Sequence, residues 1–233
     1  TEIYTLSLHD ALPISAAPRV LLNDLARVRV AVATNSLDPT NYLGLTGTNL
    51  WVNINDTGVD ASHPDLRNRV FSTDTNSFTL LDRNGHGTHV AGTLAGTGDS
   101  SESVTNAFGS ETGADFRGIA PRADLFVLPI DLRTGPLISD SYLQEKAGTD
   151  YYEVQGRTNL FVSNNSWGYQ RRFEYDSAAA SFDAAVRDTL PLKPGSQSAL
   201  YVFAAGNEGF ATENGMAGGP DTLYSPATAK EVI

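Results

Sequence analysis

Four short apolar runs, each breaking off into a polar or glycine-rich turn, limit what this chain can fold into. They are Leu50–Asp56 (LWVNIND), Leu125–Ile130 (LFVLPI), Leu160–Asn164 (LFVSN) and Leu200–Ala205 (LYVFAA). All read as strands. The second and fourth are almost continuously apolar, as strands buried on both faces are. The first alternates Leu50, Val52 and Ile54 with Asn53 and Asn55. Helical patterns lie between them. One starts at the turn Asn84-Gly85 and carries His86, His89, Val90 and Leu94. Another spans about Ser139 to Val154. A third, Tyr175–Leu190, has Ala178, Phe182, Ala185, Val186 and Leu190 near helical spacing, with Pro191 after it. Strands alternating with helices predict βαβ units, hence an α/β fold around a mostly parallel sheet. Gly98–Gly113 is polar and is expected to be a surface loop.

Composition narrows the function classes. The chain has 233 residues, net charge -11 and no cysteine. The length suits one large α/β domain with a substantial core. The acidic balance argues against nucleic acid or an anionic membrane as partner, since both would repel it. Zero cysteine excludes disulfides, thiolate metal sites and a cysteine nucleophile. No apolar run approaches the roughly 20 residues of a membrane helix.

Residues 1–15 (TEIYTLSLHDALPIS) do not read like the rest. They lack the basic start and apolar centre of a signal peptide. They resemble the in-frame translation of a sequencing-library adapter, and are expected to be a non-native tail rather than an ordinary N-terminal arm. Removing them takes away Glu2 and Asp10 and no base, so the chain stays strongly acidic. Residues 16–44 form a lead-in segment.

Three motifs carry chemistry. Asp56-Thr57-Gly58 follows a strand, and open α/β sheets place their active sites at the carboxyl edge. Alone it could be a strand-to-turn junction, where Asp and Gly are common. An aspartic protease would need a second such carboxylate motif, and the sequence has no second copy. Next comes Asn84-Gly85-His86-Gly87-Thr88-His89-Val90-Ala91-Gly92-Thr93. Gly85 and Gly87 flank His86 with minimal bulk, which would let a substrate backbone reach the imidazole. A zinc pair of His86 and His89 lacks the spacing and glutamate of H-E-x-x-H. His89 itself reads as structural, whereas His86 suits activation of a weak hydroxyl nucleophile near neutral pH. Last, Ala204-Ala205-Gly206-Asn207-Glu208-Gly209 again ends a strand. The Asn207 amide can donate to a developing oxyanion, or simply serve a left-handed turn.

Together, in the order Asp, His, Asn, these segments resemble the subtilisin-like serine proteases, the subtilase family. The matching text is DTGVDASHPDL at 56–66, NGHGTHVAGT at 84–93, GIAPRADL at 118–125, NNSWG at 164–168 and AAGNEG at 204–209. The resemblance covers about 45–233 and is nearest to the alkaline, oxidant-stable subgroup. It implies a three-layer α/β fold, incomplete at its carboxyl end, and a secreted serine endopeptidase acting on polypeptides. By motif, Asp56 would orient the base, His86 would be the base and then the acid, and Asn207 the oxyanion donor. Ser166, Trp167 and Gly168 would pair with substrate backbone and line the primary pocket, with Ala204, Ala205 and Gly206 as its opposite wall. Such small residues would leave room for a sizeable apolar side chain. Gly135 would lie on the other substrate-binding edge. Trp167 reads equally well as core packing.

The resemblance also implies what is missing. The family carries its nucleophile in a Gly-Thr-Ser-Met-Ala segment, which this sequence does not contain, and Ser225 lacks that context. The expectation is a partial catalytic domain over 45–233 that ends within a strand at Lys230–Ile233 and hydrolyses no peptide alone. No cofactor is required for the chemistry. Family members often bind calcium through oxygen ligands, and Asp65 resembles such a ligand, although Asp65, Asp60 and His63 could equally support the turn after Asp56. A propeptide partner and a monomeric complete enzyme are implied. The rival readings are a non-catalytic subtilase-like binding module and a metal hydrolase using His86 and His89.

Overall fold

The computed structural model describes residues 27–73, 79–105, 107, 110–130, 138–155, 160–169, 172–207 and 221–233, with backbone alone at 149–155 and 160–161. The four expected strands are present as β1 (Trp51–Asp56), β3 (Asp124–Pro129), β4 (Leu160–Asn165) and β5 (Leu200–Phe203). A two-residue β2 (Val70–Phe71) joins them, too short to show any periodicity in sequence. The sheet order is β2-β3-β1-β4-β5 and every pairing is parallel. The α/β class expected from the sequence is therefore observed.

The three expected helices are α1 (His86–Ala95), α2 (Asp140–Gln155) and α3 (Ser177–Arg187). They form two outer layers. Val52 and Ile54 of β1 and Leu125 and Val127 of β3 pack with Ala91 and Ala95 of α1. Trp51, Phe126 and Leu128 face the opposite way, onto Leu143 of α2. The small stripe Gly87, Ala91 and Ala95 is the buried side of α1, which brings that helix close to the sheet. Helix α3 starts at Ser177 because Asp176 caps it, accepting from the Ala178 and Ala179 amides at 3.1 Å each. Its buried Ala179, Phe182 and Ala185 lie against Tyr201 and Phe203 of β5. Beyond β5, Ile233 exchanges backbone hydrogen bonds with Tyr201 and Phe203 at 3.0 and 2.8 Å.

Sheet order positions the site. The chain builds β2 and β3 on one side of β1, then crosses to the other side for β4 and β5. Connections diverge at β1, so a crevice opens at its carboxyl end, where Asp56 stands. Within the described part of the lead-in, Arg27 is only 1% exposed and donates to the Asp38 and Thr40 carbonyls and to Asn41 Oδ1; its ion pair with Asp115, at 3.8 Å, ties that part to the body. No described helix is long and apolar enough to cross a membrane.

Phe182 is fully buried and meets the rings of Tyr201 and Phe203 at 5.1 and 4.8 Å. Phe182→Ala is expected to cost about 3–5 kcal/mol of stability, read from the urea midpoint at unchanged slope.

Candidate active site

Asp56 is the last residue of β1 and its side chain is 2% exposed. The Thr57 amide donates to its Oδ1 at 2.7 Å. His86 opens α1, and its Nδ1 lies 2.7 Å from the same Oδ1. A carboxylate accepts only, so Nδ1 carries the proton and the neutral ring keeps its lone pair on Nε2. The imidazole is 51% exposed, so the ring has one end on the protein and the other open to a ligand. The hydrogen bond to Asp56 raises the His86 pKa; burial opposes this, and the charges of Asp56 and Asp82 add to it.

A second carboxylate, missed in the sequence reading, holds this pair in place. Asp82 is 8% exposed and accepts from Thr57 Oγ1 at 2.8 Å, the Gly85 amide at 3.0 Å, and the Thr88 amide and hydroxyl at 2.8 and 2.6 Å. It thus ties the residue after Asp56 to the first turn of the helix that begins with His86. Burial alone would raise the Asp82 pKa, but these bonds outweigh it and hold the group below the usual carboxylate range. An acid just before a helix start was the available signal.

The two glycines around His86 differ in what surrounds them. Gly85 adopts φ +92°, which a side chain would strain. A Cβ on Gly87 would collide with the Gly58 carbonyl and lie 3.1 Å from Asp56 Oδ1. The bareness of Gly87 thus lets α1 approach the end of β1, while a Cβ on Gly85 would meet open space.

The other predicted residues spread along the same carboxyl edge. Ser166, Trp167 and Gly168 continue from β4, and Ala204, Ala205 and Gly206 continue from its neighbour β5, exposed together with Asn207. Gly206 has φ +107°, the left-handed turn that aims the segment. Tyr224 lies against both segments. A Cβ on Gly168 would stand 2.9 Å from Tyr224 Cβ, and one on Gly206 would stand 3.3 Å from the Tyr224 ring. The glycines make space for Tyr224, which nothing in the motif text signals. Trp167 packs as a core residue, edge-on to Phe203 at 5.4 Å, while its indole N–H donates to Asn165 Oδ1 at 3.3 Å. Gly135 lies outside the described residues.

Ser225 is fully buried and donates to Asp176 Oδ1 at 2.6 Å, which is no setting for a nucleophile. Asp65 Oδ1 accepts the Ser100 amide at 2.9 Å and anchors that turn. Asp60 Oδ1 accepts from Ser62, and His63 Nδ1 from the Asp65 amide, both bracing the turn after β1. Among the described residues no group of three or more His, Asp or Glu could hold a metal ion. His89 is exposed on α1.

The sequence profile of the subtilase family matches residues 47–233, so the chain belongs to that family. The major intracellular serine protease of Bacillus subtilis is 28% identical over 204 residues, 82% of this chain and 51% of that protein. Subtilisin Savinase of Lederbergia lenta is 30% identical over 190 residues, covering 79% of this chain and 55% of its own length. Among solved structures, the S41 psychrophilic protease superposes with a TM-score of 0.50 at 27% identity, over 84% of this chain and 55% of that one. The chain spans about half the length of the curated relatives it matches.

By the sign of its shift, His86 should titrate above 6.5 in proton NMR, and Asp56→Asn should lower it more than Asp82→Asn. Linkage gives the companion result: the contribution of His86 to stability is fully present below the unfolded pKa of about 6.5 and fades as pH rises through the folded value.

Proposed function

We propose that the complete protein is a serine endopeptidase in which Asp56, His86 and Asn207 serve a serine that these 233 residues do not supply. The observation that carries the reading is the 2.7 Å contact of His86 Nδ1 with the buried Asp56, at the divergence point of a parallel sheet. Family membership supports it. In the first half-reaction His86 Nε2 takes the hydroxyl proton of the serine as its oxygen bonds to the peptide carbonyl carbon. The carbonyl π electrons move onto oxygen, where the Asn207 amide donates. The imidazolium, stabilised by Asp56, then protonates the leaving amine as the C–N bond breaks, and water repeats the sequence on the acyl-enzyme. Side chains supply all of this chemistry. Polypeptides are the substrates on this reading, a propeptide is an expected partner, and export belongs to the same reading.

A serine-directed phosphonate tests the proposal. The full-length protein should be labelled and inactivated, while the 233-residue chain should not; full-length protease activity that resists the phosphonate would sink it. Asn207→Ala should then lower turnover by about 10²–10³, the magnitude known for the corresponding loss in subtilisin.

Tyr224 lies against both Gly168 and Gly206, and on this reading it narrows the pocket and favours small side chains at the residue before the cleaved bond. kcat/KM should be higher for alanyl than for phenylalanyl peptides, and Tyr224→Gly should reverse the order.

A further inference from the structure

Four polar side chains lie fully buried in the middle of the sheet, at 0% exposure: Asn53 and Asn55 on β1, Ser163 and Asn165 on β4. They sit on the face that carries Trp51, where an apolar side chain would cost nothing in desolvation. They are joined to one another. Ser163 Oγ donates to Asn53 Oδ1 at 2.6 Å. The Asn55 amide donates to Asn165 Oδ1 at 2.8 Å, and the Asn53 amide to Asn55 Oδ1 at 3.1 Å. The Asn165 amide returns to Ser163 Oγ at 3.1 Å, and Trp167 Nε1 reaches Asn165 Oδ1. The cluster spans two strands that both end at the candidate site.

The pairing of those strands carries an irregularity. Trp51 stands opposite Leu160, but Val52 stands opposite Val162, so β4 holds one extra residue at that point. Above it, Asn53 faces Ser163 and Asn55 faces Asn165. Without the extra residue, Asn53 would face Val162 and Asn55 would face Asn164. A one-residue slip flips every side chain to the other face, so it would also turn Ser163 and Asn165 away from the asparagines. Apolar contacts discriminate weakly here, since Val162 suits either face. The hydrogen-bonded cluster discriminates strongly, because half of it left unpaired in the interior is costly.

We propose that Asn53, Asn55, Ser163 and Asn165 are positioning residues that lock the register of β4 against β1, and so set the Ser166–Gly168 segment against the His86–Asp56 pair. The assignment rests on the proteolytic reading, in which that segment receives substrate. A slip of one residue would move it by about 3.3 Å along the strand. A shift of about 1 Å at a reacting centre can already cost 10²-fold in rate.

The test uses the full-length protein carrying Asn53→Val, Asn55→Val, Ser163→Ala and Asn165→Val together. Replacing a whole polar cluster by apolar groups of similar size is close to neutral for stability, so the variant should melt cooperatively. kcat/KM per titrated active site on a peptide substrate should fall by about tenfold or more. A value within twofold of the unaltered enzyme would show that the cluster merely fills space. If the fourfold variant does not fold, Ser163→Ala alone decides: lowered kcat/KM per titrated site supports the lock, and an unchanged one overturns it. Should the unaltered enzyme cleave no peptide and take up no phosphonate, the proteolytic reading is what fails. The crystal structure of the variant then decides the register: β4 shifted or mixed supports the lock, and an unchanged pairing overturns it.

Discussion

The hydrogen bond between His86 Nδ1 and Asp56 Oδ1 is the contact on which the rest of this structure converges. Its partners come from different layers, one from the end of the central strand and the other from the start of an outer helix. Bringing them to 2.7 Å requires the helix to approach the strand closely, and the absence of a side chain on Gly87 permits that. Asp82 then fixes the approach from the helix side by holding Thr57 and Thr88 at once. The carboxylate of Asp56 is buried while the imidazole is half open, so the charge that orients the base is screened little by water and the base still meets its substrate.

Much of this was legible in the sequence, for a physical reason. A parallel sheet covered on both faces needs near-continuous apolar strands, and LFVLPI and LYVFAA could be little else. The alternation with helical spacing fixed the class, and the glycine-bracketed histidine marked the site. What escaped notice depends on long-range packing. Val70–Phe71 is a strand only because β3 lies beside it. Tyr224 enters the site from 56 residues beyond Gly168, in a stretch with no periodic pattern. The tight contact at Gly87 is not legible either, since a close approach between two elements cannot be read along one of them.

Asn53 and Asn55 show the same limit from another side. Along the sequence they only alternate with Leu50, Val52 and Ile54. In the fold they are as buried as Ile54 beside them. What makes that tolerable is the facing pair on β4, 110 residues away, and neither strand alone reveals it. The polar cluster, the Asp82 bonds and the Gly87 contact all act on one quantity, the placement of β1's end relative to its neighbours. A family profile can report the motif at that end; the constraints that hold it there belong to this chain's own residues.

The account stands on which nitrogen of His86 bears the proton in the neutral ring. Nitrogen-15 NMR of the full-length protein, above the pH at which His86 titrates, reads this directly. The structure predicts a protonated Nδ1, hydrogen-bonded to Asp56, and an unprotonated Nε2 free to act as base. A neutral ring protonated on Nε2, with Nδ1 bare, would contradict it.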